Sequence, residues 1–309
     1  IWVIKFKGNV MSYVDPILAK MDISSLSREQ RWDALDKHYD RLRRFLRMVA
    51  NGQKSLIVNG DAGMGKTEFT NDIIKEYSKR TKTVCGKISG TLSAVDLFQR
   101  LHKFRKKGQV LIIDDTDRIL ETTESLEVLK SALDTKEDKT TDWGKAYSQH
   151  LARHKCPTEF KYEGRLIIIT NKNLRTAPSQ APTAQQSKIS PLLSRVAYFP
   201  AGLPSVEWKI EALRMFANET PSKADPDAEP YTLRCAKDII IQPTDFSSPD
   251  NMSEKDIRAI LLNDIIDTIE KHKDDIREIS FRTVFQAIGY YNAEREIWEE
   301  MFITDQYYS

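Results

Sequence analysis

The sequence predicts an α/β fold: an αβα core built on a mainly parallel five-stranded sheet, followed by a smaller, mainly helical domain. Three observations carry this. Short apolar runs alternate with helix-like stretches as far as residue 203. The first apolar run leads into Gly60-Asp61-Ala62-Gly63-Met64-Gly65-Lys66-Thr67, which fits the phosphate-binding pattern GxxxxGK[ST] at every fixed position. From Pro204 onward the strand pattern stops and only helical periodicity continues.

A helix is expected before the loop, because Trp32, Leu35, Tyr39, Leu42, Phe45, Leu46 and Val49 form one apolar stripe. Ser27 with Gln30 is a capping box at its start, and Asn51-Gly52 ends it. The strands are expected at 55–58, 83–88, 110–114, 165–170 and 196–199. The helices between them are expected at 66–79, 94–104, 126–133 and, briefly, 191–194. Val110-Leu111-Ile112-Ile113 is apolar throughout, as a strand buried on both faces requires. Two polar inserts, 135–162 and 173–189, interrupt the alternation; the second, with Pro178 and Pro182, reads as a flexible loop. Helices are expected at 206–216, 254–269 and 282–302, with a Pro/Asp-rich connection over 220–252. The expected division is an extension over 1–27, a nucleotide-binding domain over 28–203 and a helical domain over 204–309.

Composition narrows the classes. The 309 residues are 40% hydrophobic and 30% charged, enough for a sizeable core. Cys85, Cys156 and Cys235 are far apart, which argues for a reducing compartment and a cytoplasmic location rather than a disulfide framework. No apolar stretch reaches membrane-spanning length, so no membrane partner is expected. Ile1 to Phe6 lack the order of a signal peptide, and Met11 is an alternative start. Residues 1–203 carry 35 basic and 23 acidic side chains, a net of +12, whereas 204–309 carry 12 and 22, a net of −10. A basic half suits a phosphate-bearing ligand and also fits ordinary solvated surface.

The loop implies specific chemistry. Gly60, Gly63 and Gly65 let backbone N–H groups converge on phosphates, and Asp61, Ala62 and Met64 complete the cradle. Lys66 reaches β and γ oxygens, Thr67 holds Mg²⁺, and Glu68 lies in the first turn of a helix whose positive end faces the anion. The third strand delivers Asp114-Asp115 to the sheet's C-terminal edge, where α/β ligands bind, with Asp117 two residues on. Asp114 is a candidate for the Mg²⁺ shell and Asp115 for polarising an attacking water. The fourth strand ends in Asn171, a turn former or an amide that orients water on the γ-phosphate.

With Ser190-Pro191-Leu192-Leu193-Ser194-Arg195-Val196 added, the order and spacing resemble an AAA+ ATPase, a P-loop NTPase, over roughly residues 28–302. The resemblance implies Walker A at Gly60–Thr67, Walker B at Asp114-Asp115, sensor 1 at Asn171 and an arginine finger at Arg195. It further implies a helical lid, with Ser280 capping a helix and Arg282 in the sensor-2 position, for which Arg258 and Arg277 compete. ATP and Mg²⁺ are then the expected cofactors. A ring or filament, most readily a homohexamer, is the expected assembly, because the finger serves a neighbouring subunit. The expected activity is ATP hydrolysis coupled to conformational work on nucleic acid. A protein-remodelling chaperone acting on a protein substrate, and a slow-hydrolysing nucleotide-gated scaffold, remain open.

Two departures bear on that choice. Asp115 stands where the family usually has Glu, and 87–92 lacks the aromatic of protein-threading pore loops. Residues 131–135, 141–145 and 160–165 resemble ATPases of bacteriophages and mobile elements. The 135–162 insert interleaves Lys136, Lys139, Lys145, Arg153 and Lys155 with Trp143, Tyr147, His150 and His154. It reads either as a DNA-contacting element or as a loop whose Trp143 and Tyr147 pack on the body, with Glu137, Asp138 and Asp142 diluting its charge. The His150/His154 pair has no third ligand and is not expected to bind zinc.

Overall fold

The computed structural model describes residues 13–134, 140–144, 149–175, 182–241 and 252–308. They form two compact units. The first comprises residues 1–16, 41–61 and 65–202, and the second 17–40, 62–64 and 203–309.

The first unit is built on β1 (Leu56–Asn59), β2 (Cys85–Ser89), β3 (Val110–Asp114), β6 (Arg165–Thr170) and β7 (Ala197–Pro200). The other two strands, β4 (Thr141–Asp142) and β5 (Glu159–Phe160), pair antiparallel in a separate ribbon. The five-stranded sheet has the order β2-β3-β6-β1-β7, and every neighbouring pair is parallel. Each β-to-β connection therefore crosses over the sheet and needs intervening chain, mostly helix, to do so. β1 and β3 are buried at every residue, each an apolar run that ends in one polar residue, Asn59 or Asp114, whereas the edge strand β2 is half-open.

One face of the sheet is covered by Leu42, Leu46 and Val49 of α1 (Arg28–Ala50) and by Ile73 and Ile74 of α2 (Lys66–Thr81). The other is covered by Leu97, Phe98 and Leu101 of α3 (Ala94–Lys103), Leu126 and Leu129 of α4 (Thr123–Ala132), and Ile189 and Leu192 of α6 (Ala184–Leu193). This is the αβα core expected from the alternation.

One expectation for this unit is corrected, and one open alternative is decided. The loop foreseen over 173–189 is helical from Ala184, because Thr183 and Gln186 form a reciprocal capping box and Ile189 and Leu192 bury one face. The 135–162 insert, which also holds α5 (Gln149–Arg153), is anchored on the body. Trp143 is 8% exposed, its ring 5.4 Å from that of Phe98, and Phe160 packs 4.9 Å from the same ring. Trp143 is thus core, not a stacking platform for bases. Lys136, Lys139, Lys145, Tyr147 and the side chain of His150 lie outside the described residues.

The second unit contains the start of α1, α7 (Val206–Ala217), α8 (Glu254–Lys271), α9 (Phe281–Ala293) and α10 (Trp298–Tyr308). The helix expected over 282–302 is two helices, since the chain leaves helical geometry at Glu294. Residues 17–40, placed by linear reading in the extension and the nucleotide-binding domain, cluster with these C-terminal helices. Buried Asp36 explains this: its carboxylate accepts from Ser222 Oγ (2.6 Å), Lys223 N (2.8 Å), Ala224 N (2.8 Å) and the Tyr231 hydroxyl (2.8 Å). Four donors on one carboxylate make its burial favourable. Beside it, the rings of Tyr39, Phe216 and Tyr231 meet at 5.1–5.6 Å. Among the described residues, no helix is long and apolar enough to cross a membrane.

Candidate phosphate-binding site

The loop between β1 and α2 takes its shape from its glycines. Gly65, which caps α2, has φ +74°, a left-handed conformation that glycine adopts without Cβ strain. At Gly60 the demand is space: a Cβ would come within 2.7 Å of the Gly202 nitrogen and 2.8 Å of the Ala201 carbonyl carbon. The N–H groups of the first turn of α2 have no partner within the helix and carry its positive end.

Lys66 is buried and folds back over this loop. Its Nζ donates to the Gly60 carbonyl at 3.0 Å, to the Asp61 carbonyl, and to Asn171 Oδ1 at 2.8 Å. Thr67 donates its hydroxyl to Asp114 Oδ1 at 2.9 Å. Met64 is buried, Asp61 and Ala62 are half-buried, and Glu68 is exposed on the first turn of α2. Sheet order explains the convergence. β6 lies between β1 and β3, so Asn171 emerges between the loop after β1 and the acids after β3.

Asp114 is 3% exposed, and its Oδ2 pairs with Lys87 Nζ of β2 at 2.8 Å. Asp115 is exposed, with φ +51°. That left-handed geometry costs a non-glycine residue about 1 kcal/mol. Asp117 is committed elsewhere, since its Oδ1 accepts from the Thr170 hydroxyl at 2.6 Å and ties the end of β3 to that of β6. Any part for Asp117 in activating water would compete with this structural bond.

Of the remaining candidates, Arg195 follows α6 and is half-buried. Its Nη1 donates to the Pro191 carbonyl at 2.6 Å and its Nε has no hydrogen-bond partner among the described residues. None of its bonds reaches the Lys66 cluster. In the second unit, Ser280 accepts from Thr283 N, and Phe281 N donates to the Gly63 carbonyl at 2.9 Å. Arg282 is the second residue of α9 and exposed. Its rival Arg258 is bonded to Glu254.

Three further residues near the loop were not singled out from the sequence. Lys87 lies within an ordinary edge strand. Asn59, at 0% exposure, ends β1 and bonds to the backbone on both sides of Asn171. Tyr13 lies beside the loop, where burial first, then the negative charge of Asp61, push its phenol up to about 12. Only the Asn in an otherwise apolar strand was a legible clue, because a strand-buried amide needs partners.

The donor set suits the groups it is expected to hold. Thr67 and Asp114 offer a hydroxyl and a carboxylate, hard oxygen donors of the kind Mg²⁺ takes. Lys66, left-handed Gly65 and the start of a 16-residue helix offer cationic and N–H donors to phosphate oxygens.

No family model matches the chain. It is 23% identical over 276 residues to an uncharacterized 36.7 kDa protein in the nrdC-mobD intergenic region of Enterobacteria phage T4, covering 89% of this chain and 75% of that protein. Among solved structures, it matches a mutant of RuvB from Thermotoga maritima at 17% identity and a TM-score of 0.37, over 84% of this chain and 70% of the other.

Proposed function

We propose that this chain is an ATP hydrolase of the AAA+ type that couples the nucleotide cycle to conformational work in an oligomer. The observation that carries the reading is the meeting of three strand ends at one place. Lys66 and Thr67 from the loop after β1, Asp114 from β3 and Asn171 from β6 are joined by hydrogen bonds of 2.8 and 2.9 Å. A triphosphate needs that set: cationic and N–H donors for its oxygens, oxygen ligands for its metal and a polar group for its terminal phosphate.

In this reading Gly60–Gly65 and Lys66 hold the phosphates. Thr67 and Asp114 hold Mg²⁺, which neutralises phosphate charge when bound. Asp115 orients the attacking water, Asn171 and Arg282 contact the γ-phosphate, and Arg195 acts on the nucleotide of a neighbouring subunit. The exposure of Asp115 leaves its carboxylate accessible. A guanidinium bonded only to its own helix, as in Arg195, is available for a second partner.

Nucleic acid is the favoured object of the work, on the strength of the +12 balance of residues 1–203. The burial of Trp143 takes away a stacking residue that the insert offered to that reading. A second reading, a nucleotide-gated scaffold that hydrolyses slowly, is favoured by Asp115, one methylene shorter than the glutamate usual in the family. ATPase activity measured with single-stranded DNA, duplex DNA and an unfolded protein decides between them. Stimulation by DNA, abolished by Lys66→Ala, is the expected result. ATP-dependent assembly with no stimulation by any of the three would establish the scaffold instead.

A further inference from the structure

Asn59 is the last residue of β1 and entirely buried, a position where an amide costs free energy unless its donors and acceptor are all matched. They are matched. Its Nδ2 donates to the Thr170 carbonyl at 2.9 Å and to the Lys172 carbonyl at 2.7 Å. Its Oδ1 accepts from the Tyr198 hydroxyl of β7 at 2.6 Å. The two carbonyls settle the orientation of the amide, since they only accept and so require Nδ2 on their side, which leaves Oδ1 to accept from the hydroxyl. The two carbonyls belong to the residues on either side of Asn171, whose own Oδ1 accepts from Lys66 at 2.8 Å.

β pairing alone would not hold this corner. Parallel pairing aligns Asn59 with Thr170, the last residue of β6, and the Gly60 N–H reaches the Thr170 carbonyl at 3.3 Å. Lys172 lies past the end of β6, and its carbonyl bonds to the amide of Asn59. Tyr198 is oriented in turn by the guanidinium of Arg175, 3.9 Å above its ring.

We infer that Asn59 is a positioning residue for Asn171: it clamps the 170–172 backbone so that the Asn171 amide faces Lys66 and the terminal phosphate of a bound triphosphate. This rests on the reading of Asn171 as the residue that senses that phosphate. The clamp should affect what distinguishes a triphosphate from a diphosphate and leave the rest of the phosphate cradle alone.

The test is a comparison of ADP and ATPγS affinities, with Mg²⁺, for the full chain and its Asn171→Ala, Asn59→Ala and doubly substituted variants. Asn171→Ala is expected to lower the preference for ATPγS over ADP by about 5- to 20-fold, the worth of one charge-assisted or polar contact. Asn59→Ala is expected to lower it to a similar extent with ADP affinity unchanged. The double variant is expected to lose no more than either single one, because the two act as one unit. Equal weakening of ADP and ATPγS by Asn59→Ala, or additive losses in the double variant, would overturn the positioning role while leaving the sensor reading intact. An unchanged preference in Asn171→Ala would remove the sensor reading, and the clamp with it. Should Asn59→Ala fail to fold, Tyr198→Phe keeps the ring under Arg175 and removes only the hydroxyl that orients Asn59; a smaller loss in the same ratio is expected, and no loss would count against the inference.

Discussion

Asp115 is where local conformation and chemistry conflict. A left-handed φ of +51° is unfavourable for any residue with a Cβ, yet it turns the Asp115 side chain outward at the end of β3, next to buried Asp114. Asp115→Gly relieves the strain, so it is expected to raise stability by about 0.5–1 kcal/mol in denaturant unfolding. The same change removes the carboxylate, and ATP turnover is expected to fall at least tenfold. A destabilised variant would show that the left-handed geometry carries no strain, and normal turnover would show that the carboxylate is not used. At this scale most of the candidate site was legible in the sequence, because the loop spacing and the Asp-Asp after an apolar strand need no knowledge of distant residues. Lys87 was not legible. Its ion pair with Asp114 exists because parallel pairing sets Ser89 opposite Asp114 and lays β2 alongside that carboxylate, and register is not written in either strand alone.

At the scale of elements, local signals succeeded where both partners lie within a few residues. Ser27 and Gln30 cap α1 reciprocally at 2.9 and 3.3 Å, as their spacing implies. The same logic applied to Thr183 and Gln186, where two prolines and a run of polar residues masked the start of α6. The insert shows the opposite limit. Whether Trp143 faces solvent or core depends on Phe98, Phe160 and Tyr162, which come from other elements. Trp143→Ala is expected to cost about 3–5 kcal/mol, as removal of a buried indole does, read from thermal or denaturant unfolding. Nucleic-acid affinity per folded molecule should stay unchanged; a stable variant with weakened DNA binding would return Trp143 to the surface.

At the scale of the whole molecule, the three thiols report on folding. Burial raises the pKa of Cys85, Cys156 and Cys235, the last to about 12 from an ordinary 9.0. Less thiolate is present in the folded chain at a given pH, so buried Cys156 and Cys235 should react slowly with a disulfide reagent in native protein at neutral pH, half-buried Cys85 faster, and all three fast in denaturant. The linkage has a definite sign. The folded state holds these protons more tightly, so this stabilisation is complete below about pH 9 and declines as pH rises towards 12. Fast native reaction of Cys156 and Cys235 at neutral pH would contradict their burial. Assembly has its own test. Mixing Arg195→Ala with Lys66→Ala subunits is expected to restore part of the activity each lacks, since one supplies an intact loop and the other an intact finger. No recovery from mixed, intact oligomers would count against a finger acting between subunits.

The sequence by itself determined the α/β class, the glycine-rich loop and the order of the strand-end residues, because periodicity, capping and motif spacing act over a few residues of chain. Tertiary structure alone decided that 17–40 joins the C-terminal helices through Asp36, that Trp143 is core, and that Asn59 holds the corner carrying Asn171. Each of these depends on a partner dozens to nearly two hundred residues away. A buried polar group is satisfied by whatever the folded chain brings to it, and only the packed molecule shows which group that is.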